Sequence, residues 1–295
     1  MTQILAALTH DYVLVASDRR LTFASGPRNG QVADDDTCKL VCLCGIWGIA
    51  YTGLATLDGM PTHEWIAVRL AENKCVSPYS AAQILGDAAA PALRAAGISL
   101  ELTFLIAGWA RLPDLTLVPH FLLISNMHEA VGQLRAAPGQ SFNRFERRLR
   151  SDEAYAARVV GQPLPNGRGK QLDRLLRRML KHKVGPKPAM QAFAREILRT
   201  SEVRNSVGEK VLAFSIPIAA ARQTYKTRNQ MMLAMEPNLS NAAFCYFDPA
   251  YSQLRQYGPT FTCGESAVTD VETENDPARD FQSSSMRILH MRKPS

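Results

Sequence analysis

Thr2-Gln3-Ile4-Leu5-Ala6-Ala7-Leu8 and Tyr12-Val13-Leu14-Val15-Ala16-Ser17-Asp18-Arg19-Arg20 form the stretch that decides the fold. The turn residues Thr9-His10-Asp11 separate these two runs. Two more follow, Lys39-Leu40-Val41-Cys42-Leu43-Cys44 and Trp47-Gly48-Ile49-Ala50-Tyr51-Thr52-Gly53. Four β-prone runs punctuated in this way predict consecutive antiparallel strands. Side chains alternate faces along a strand, so Asp18 shares a face with Tyr12, Leu14 and Ala16, and Lys39 with Val41 and Leu43. A carboxylate and an ammonium thus end runs that otherwise read as buried, where charges are rarely placed without partners. A structural ion pair explains these two residues, taken alone, as well as chemistry does.

Thr2 adds a third group. Loss of Met1 ahead of a small residue is expected, leaving Thr2 as the mature N-terminus. Its α-amine, with an ordinary pKa near ~8, can then act as a neutral base beside its own hydroxyl nucleophile. A neighbouring ammonium lowers the pKa of both groups, and a carboxylate holds that ammonium in place. Lys39 and Asp18 are of the right type for these tasks. Many chains begin Met-Thr, so the constellation carries the reading and Thr2 alone does not.

The stretch resembles the start of a proteasome β-type subunit, in the N-terminal nucleophile (Ntn) hydrolase superfamily. The family's N-terminal Thr, D-x-R motif, Lys and following Gly match Thr2, Asp18-Arg19-Arg20, Lys39 and Gly53. Thr2 to Asp18 (18 − 2 = 16 residues) and Lys39 to Gly53 (53 − 39 = 14) keep the family's spacing. The extra length falls in the loop around Gly26-Pro27-Arg28-Asn29-Gly30-Gln31, where insertions are tolerated. The resemblance spans about the first quarter of the chain. It implies an α+β fold, a four-layer αββα sandwich with a C-terminal extension. It also implies that Thr2 is nucleophile and base, that Lys39 is the pKa-lowering cation with Asp18 its partner, that Arg20 is a structural support, and that the Gly53 N–H is an oxyanion donor. Such a threonine-type amide hydrolase acts on a peptide or small amide, needs no cofactor or metal, and forms homo-oligomeric rings or stacks.

The rest of the chain continues the order of that family. Thr62 to Ala71 reads as a helix with Thr62 as N-cap, and an Ala-rich helix opens at Pro78-Ser80 and ends near Gly97. Leu102 to Gly108 and Leu115 to Ile124 read as two strands, and Phe142 to Arg150 as a short basic helix. Leu172, Leu175, Leu176, Met179 and Leu180 repeat at helical spacing, as do Met190, Phe193, Ala194, Ile197 and Leu198. The breaker Val184-Gly185-Pro186-Lys187-Pro188 makes the two an αα-hairpin. Lys210 to Ile216 and Ala242 to Phe247 are further strands, with 248–259 an irregular connection. Before the first of these the family has D-x-x-S-G. Here Ser206 and Gly208 fall in the corresponding loop, but position 203 is Val and Glu202 is the nearby acid. The expected division is 1–220 as the Ntn domain, 221–268 as an extension packed on it, and 269–295 as a flexible tail.

Composition excludes several classes. No apolar run approaches the ~20 residues needed to span a bilayer, and Met1 to Leu8 lacks the basic start of a secretory signal. Six cysteines without a C-x-x-C pair predict reduced core thiols, with Cys42 and Cys44 on one strand face, in a cytoplasmic protein. The net charge of +7 is concentrated: residues 141–200 hold fifteen Lys/Arg against five Asp/Glu, about +10. A solvated helical face explains this better than nucleic-acid binding, since no aromatic interleaving accompanies it. The six histidines are scattered, and neither a phosphate loop, nor H-E-x-x-H, nor G-x-S-x-G is spelled out. Two alternatives to the hydrolase stay open: an inactive proteasome-like assembly protein, suggested by Val203, and a basic nucleic-acid binder.

Overall fold

A computed structural model describes residues 2–23, 27–95, 97, 100–129, 133–165, 167–230, 243–247, 256–273 and 283–288. The predicted opening strands form as β1 (Gln3–Thr9) and β2 (Tyr12–Asp18). The short pair β3 (Leu21–Thr22) and β4 (Val32–Asp34) interrupts them before β5 (Leu40–Leu43) and β6 (Trp47–Thr52). A second short pair, β7 (Thr56–Leu57) and β8 (Met60–Pro61), leads into α1 (Thr62–Glu72) and α2 (Pro78–Ala95). Four strands follow: β9 (Thr103–Arg111), β10 (Leu117–Ser125), β11 (Asn143–Arg148) and β12 (Tyr155–Gly161). The hairpin of α3 (Arg168–Lys181) and α4 (Pro186–Ser201) precedes β13 (Val211–Pro217) and α5 (Ile218–Gln230). The chain closes with β14 (Ala243–Phe247), β15 (Gln256–Tyr257), β16 (Thr260–Cys263), β17 (Ser266–Thr273) and β18 (Ser283–Ile288).

The result is a mixed α/β fold with two main sheets. Five strands run in the order β12-β1-β2-β13-β14, and nine in the order β11-β10-β9-β6-β5-β16-β17-β15 with β18 on β17. Alternation along β1 builds two cores. Ile4, Ala6 and Leu8 join Ile49, Leu105 and Phe121 of the larger sheet. Leu5 and Ala7 instead meet Leu172, Leu176 and Phe193 of α3 and α4. The two helical stripes therefore cover one sheet, as their spacing predicts. Trp65, Ile66 and Leu70 of α1 and Leu85 of α2 belong to the main core with the larger sheet. Each such side chain removed from water contributes ~1.5–3 kcal/mol.

Four expectations are corrected. Residues 143–148 form the edge strand β11, paired with β10, where a helix is predicted. Phe142, Phe145 and Leu149 sit at helical spacing, but the open edge of β10 supplies backbone partners that this spacing does not show. Thr62 is not the N-cap of α1. Pro61 holds that position, and the Thr62 hydroxyl donates to the Leu54 carbonyl at 2.8 Å. Cys44 is not a free thiol but is bonded to Cys263, 219 positions away, while Cys38, Cys42 and Cys75 stay free and buried. Within the stretch read as a flexible tail, Thr269 is buried in β17 and its hydroxyl bonds that of Thr260 at 3.0 Å. Met1, most of the 248–259 connection, 274–282 and 289–295 lie outside the described residues. Among the described residues no helix is long and apolar enough to cross a membrane.

Candidate active site

The ends of β1, β2, β5 and β6 converge because their registers are fixed by neighbours. Ile4 faces Ser17 across β1 and β2, which sets Gln3 beside Asp18. Leu40 faces Ala50, and Thr52 faces Thr103. Asp18 is fully buried and receives four donors. Its Oδ1 accepts the Gln3 N–H at 2.8 Å. Its Oδ2 accepts the Arg20 N–H at 3.1 Å, the Gly208 N–H at 3.1 Å and the Lys39 ammonium at 3.2 Å. Three of the four donors are backbone groups, so the carboxylate is held by the fold itself. The Lys39 ammonium also donates to the Arg20 carbonyl. Burial pulls the Lys39 pKa below the ordinary lysine range, and Asp18 opposes that shift.

Thr2 is buried and adjoins this hub through its peptide bond to Gln3. Two positions before Ile4, it continues the β1 face that looks toward the larger sheet. Its carbonyl accepts the Gln162 N–H at 2.8 Å. Gly161, at φ +77°, permits this closeness: a Cβ there would lie 2.1 Å from the Thr2 oxygen and 3.0 Å from the Thr52 hydroxyl. Gly53, at φ +115°, meets the same constraint, since a Cβ would lie 1.9 Å from the Glu101 carbonyl oxygen.

Arg20 is a brace. Its guanidinium bonds both Asp35 oxygens, at 2.6 and 3.1 Å, and the Asn205 carbonyl at 3.1 Å. The loop with Ser206 and Gly208 is thereby tied to the end of β2, and Ser206 itself is half-buried. Glu202 is exposed and does not replace the acid absent at Val203. The Gly208 N–H bonds Asp18 directly instead. Sequence reasoning missed Gly161, Gln162 and Asp35. Gly161 at the close of the run Tyr155–Val160 is the one local signal among them.

A cleft of about 630 Å³ is lined by residues close in sequence to these groups, among them Arg19, Leu21, Thr37, Cys38 and Ala55, while Thr2, Asp18, Lys39 and Gly53 are not part of its lining. In the basic segment 141–200, ion pairs within the segment join six of the fifteen Lys/Arg, namely Arg147, Arg148, Arg150, Arg168, Arg177 and Arg199, to its acids. Arg177 meets Asp173, Arg148 meets Glu146, and Arg199 meets Glu196.

Neither a protein-family model nor a curated protein sequence matches the chain. Solved structures do resemble it. Anbu (ancestral beta-subunit) from Yersinia bercovieri is 18% identical over 73% of this chain and 82% of its own, with a TM-score of 0.44. An Anbu (Gly-1) mutant from Hyphomicrobium sp. strain MC1 is 14% identical over 80% and 100%, with a TM-score of 0.42. Eukaryotic HslV from Trypanosoma brucei is 14% identical over 73% and 99%, with a TM-score of 0.41. At such values the case for function rests on the chain's own residues.

Proposed function

We propose that the chain is an Ntn amide hydrolase of the proteasome β type, its two sheets and flanking helix pairs forming an αββα sandwich. Thr2 becomes the nucleophile once Met1 is removed. The supporting observation is the fully buried Asp18, which takes donors from Gln3, Gly208 and Lys39 and so fixes a cation beside the start of β1.

In this reading the Thr2 hydroxyl oxygen attacks an amide carbonyl carbon and gives its proton to the Thr2 α-amine, directly or through water. The Gly53 N–H meets the oxyanion of the tetrahedral intermediate. The amine of the substrate leaves with the transferred proton, and an ester to Thr2 remains. Water, deprotonated by the α-amine, then hydrolyses the ester and restores the hydroxyl. The Lys39 ammonium lowers the pKa of amine and hydroxyl by its charge, and Asp18 holds it there. The cleft beside Ala55 and Thr37 receives part of a peptide or small amide substrate. Homo-oligomerisation and a cytoplasmic setting belong to the same proposal. The buried Cys44–Cys263 bond sits against a reducing compartment and makes its redox state in cells a direct check.

Fluorogenic peptide amides provide the test. Wild type and Thr2→Ser should release fluorophore, and Thr2→Ala should lose at least about 100-fold. Equal turnover by Thr2→Ala would refute the proposal, and no turnover by any of the three would favour an inactive assembly protein.

A further inference from the structure

β1 and β12 pair antiparallel with Gln3 opposite Gly161, so Thr2 stands opposite Gln162 at the end of the ladder. The Gln162 N–H donates to the Thr2 carbonyl at 2.8 Å, which marks the two as a hydrogen-bonded pair. In such a pair the bond is returned, and the Thr2 N–H would donate to the Gln162 carbonyl. That carbonyl instead accepts the side-chain amide of Gln3, whose Nε2 lies 3.2 Å away. The amide thus stands where the last rung of the ladder would hold the Thr2 nitrogen.

The backbone of Gln3 is fixed as well. Its N–H donates to the Asp18 carboxylate at 2.8 Å, so main chain and side chain together bridge the hub and the end of β12. The side chain is 0% exposed and shares a face of β1 with Leu5 and Ala7, which pack on α3 and α4. Among the described residues its Oε1 is buried with no hydrogen-bond partner. A half-satisfied amide beside apolar side chains is costly, and a methionine of similar length would avoid that cost. Stability therefore does not explain an amide at this position.

We infer that Gln3 is a positioning residue for Thr2: its amide occupies the Gln162 carbonyl and so keeps the Thr2 nitrogen out of the ladder. In the proposed Thr2 chemistry, on which this role rests, that nitrogen is the base. Bonded to a carbonyl, the α-ammonium would be stabilised and its pKa raised, which withdraws the lone pair from proton transfer at neutral pH. With the carbonyl already taken, the amine is left to the hydroxyl and a bridging water. The charged groups around the pair are Asp18, Arg20 and Lys39 at the hub and Glu101 against Gly53. All four are unchanged in a Gln3 variant, so a shifted pH profile reports on the amide.

Turnover of a fluorogenic peptide amide against pH, with urea unfolding of each full-length variant, tests the inference. Activity needs the neutral amine, so kcat falls on the acid side as pH drops through the amine pKa. Gln3→Met should move that limb up by roughly one pH unit and lower kcat below it by about ten-fold, with KM within about two-fold. Above the limb it should recover the wild-type kcat, and it should unfold at no lower urea than wild type. Leu5→Ala, on the same face of β1, should unfold at lower urea yet keep the wild-type limb. An unmoved limb in Gln3→Met, or a loss of kcat uniform in pH, would overturn the inference and leave Gln3 a structural clamp. Thr2→Ala separates the two readings. If it is inactive while the Gln3→Met limb is unmoved, only the role of Gln3 fails. If it turns over like wild type, or wild type turns over nothing, both fail.

Discussion

Two charge clusters of the described residues are built on opposite plans. At the start of β1, Asp18 and Lys39 are 0% and 1% exposed, and backbone N–H groups supply most of the carboxylate's donors. At the β10–β11 edge, Glu146 is 37% exposed and is held by side chains. Arg148 pairs with it, the Tyr79 hydroxyl donates to it at 3.0 Å, and the buried His120 lies 3.4 Å away. The first cluster cannot relax without moving strands, whereas the second can re-form through rotamers and water. Rigid placement is what a reacting centre requires. The edge cluster instead covers an open strand with charge, a common protection against edge pairing.

This contrast can be broken from either side. Asp18→Ala leaves a buried ammonium unpaired and should cost about 3–5 kcal/mol in urea unfolding. A loss below 1 kcal/mol would mean that the hub is no more rigid than the edge.

The next largest effect follows pH. Burial pushes the His120 pKa down to about 4, with Glu146 opposing. A depressed folded pKa means that the unfolded chain binds the proton more readily. The stability involved is fully present above the ordinary value of 6.5 and is lost as pH falls through 4. Wild type should lose roughly 3 kcal/mol across that window through this residue. His120→Gln should show a flatter profile, and a parallel one would remove His120 as the cause.

Gly161→Ala should cost about 1–3 kcal/mol, since the new methyl meets the Thr2 carbonyl at a positive φ. It should also lower turnover by shifting Thr2. Unchanged turnover would show that Gly161 does not position Thr2. Smallest of all, Glu146→Gln should change stability by less than about 1 kcal/mol, because Glu146 and its closest partner Arg148 are both solvated.

The rigid cluster was also the more legible one in sequence. Asp18 and Lys39 stand out because charges at the ends of apolar alternating runs need partners, and the two lie only 21 positions apart. The αα-hairpin was legible for a similar reason, since Leu172, Leu176, Phe193 and Ile197 repeat at 3.6-residue spacing. Pairings between distant segments left no such trace. Cys263 reaches Cys44 because β16 runs parallel to β5, and nothing near either cysteine announces this. Gln162 contributes its backbone N–H to Thr2, and a backbone group has no sequence signature. β11 was misread because its Phe and Arg residues fit a helix, while the deciding fact is the free edge of β10.

Thr2 as a free N-terminal nucleophile is the claim on which the functional account turns. Intact mass after treatment with a threonine-directed electrophile measures it most directly. Wild type should lack Met1 and gain one adduct, and Thr2→Ala should gain none. Retained Met1, or equal labelling of the two proteins, would contradict it.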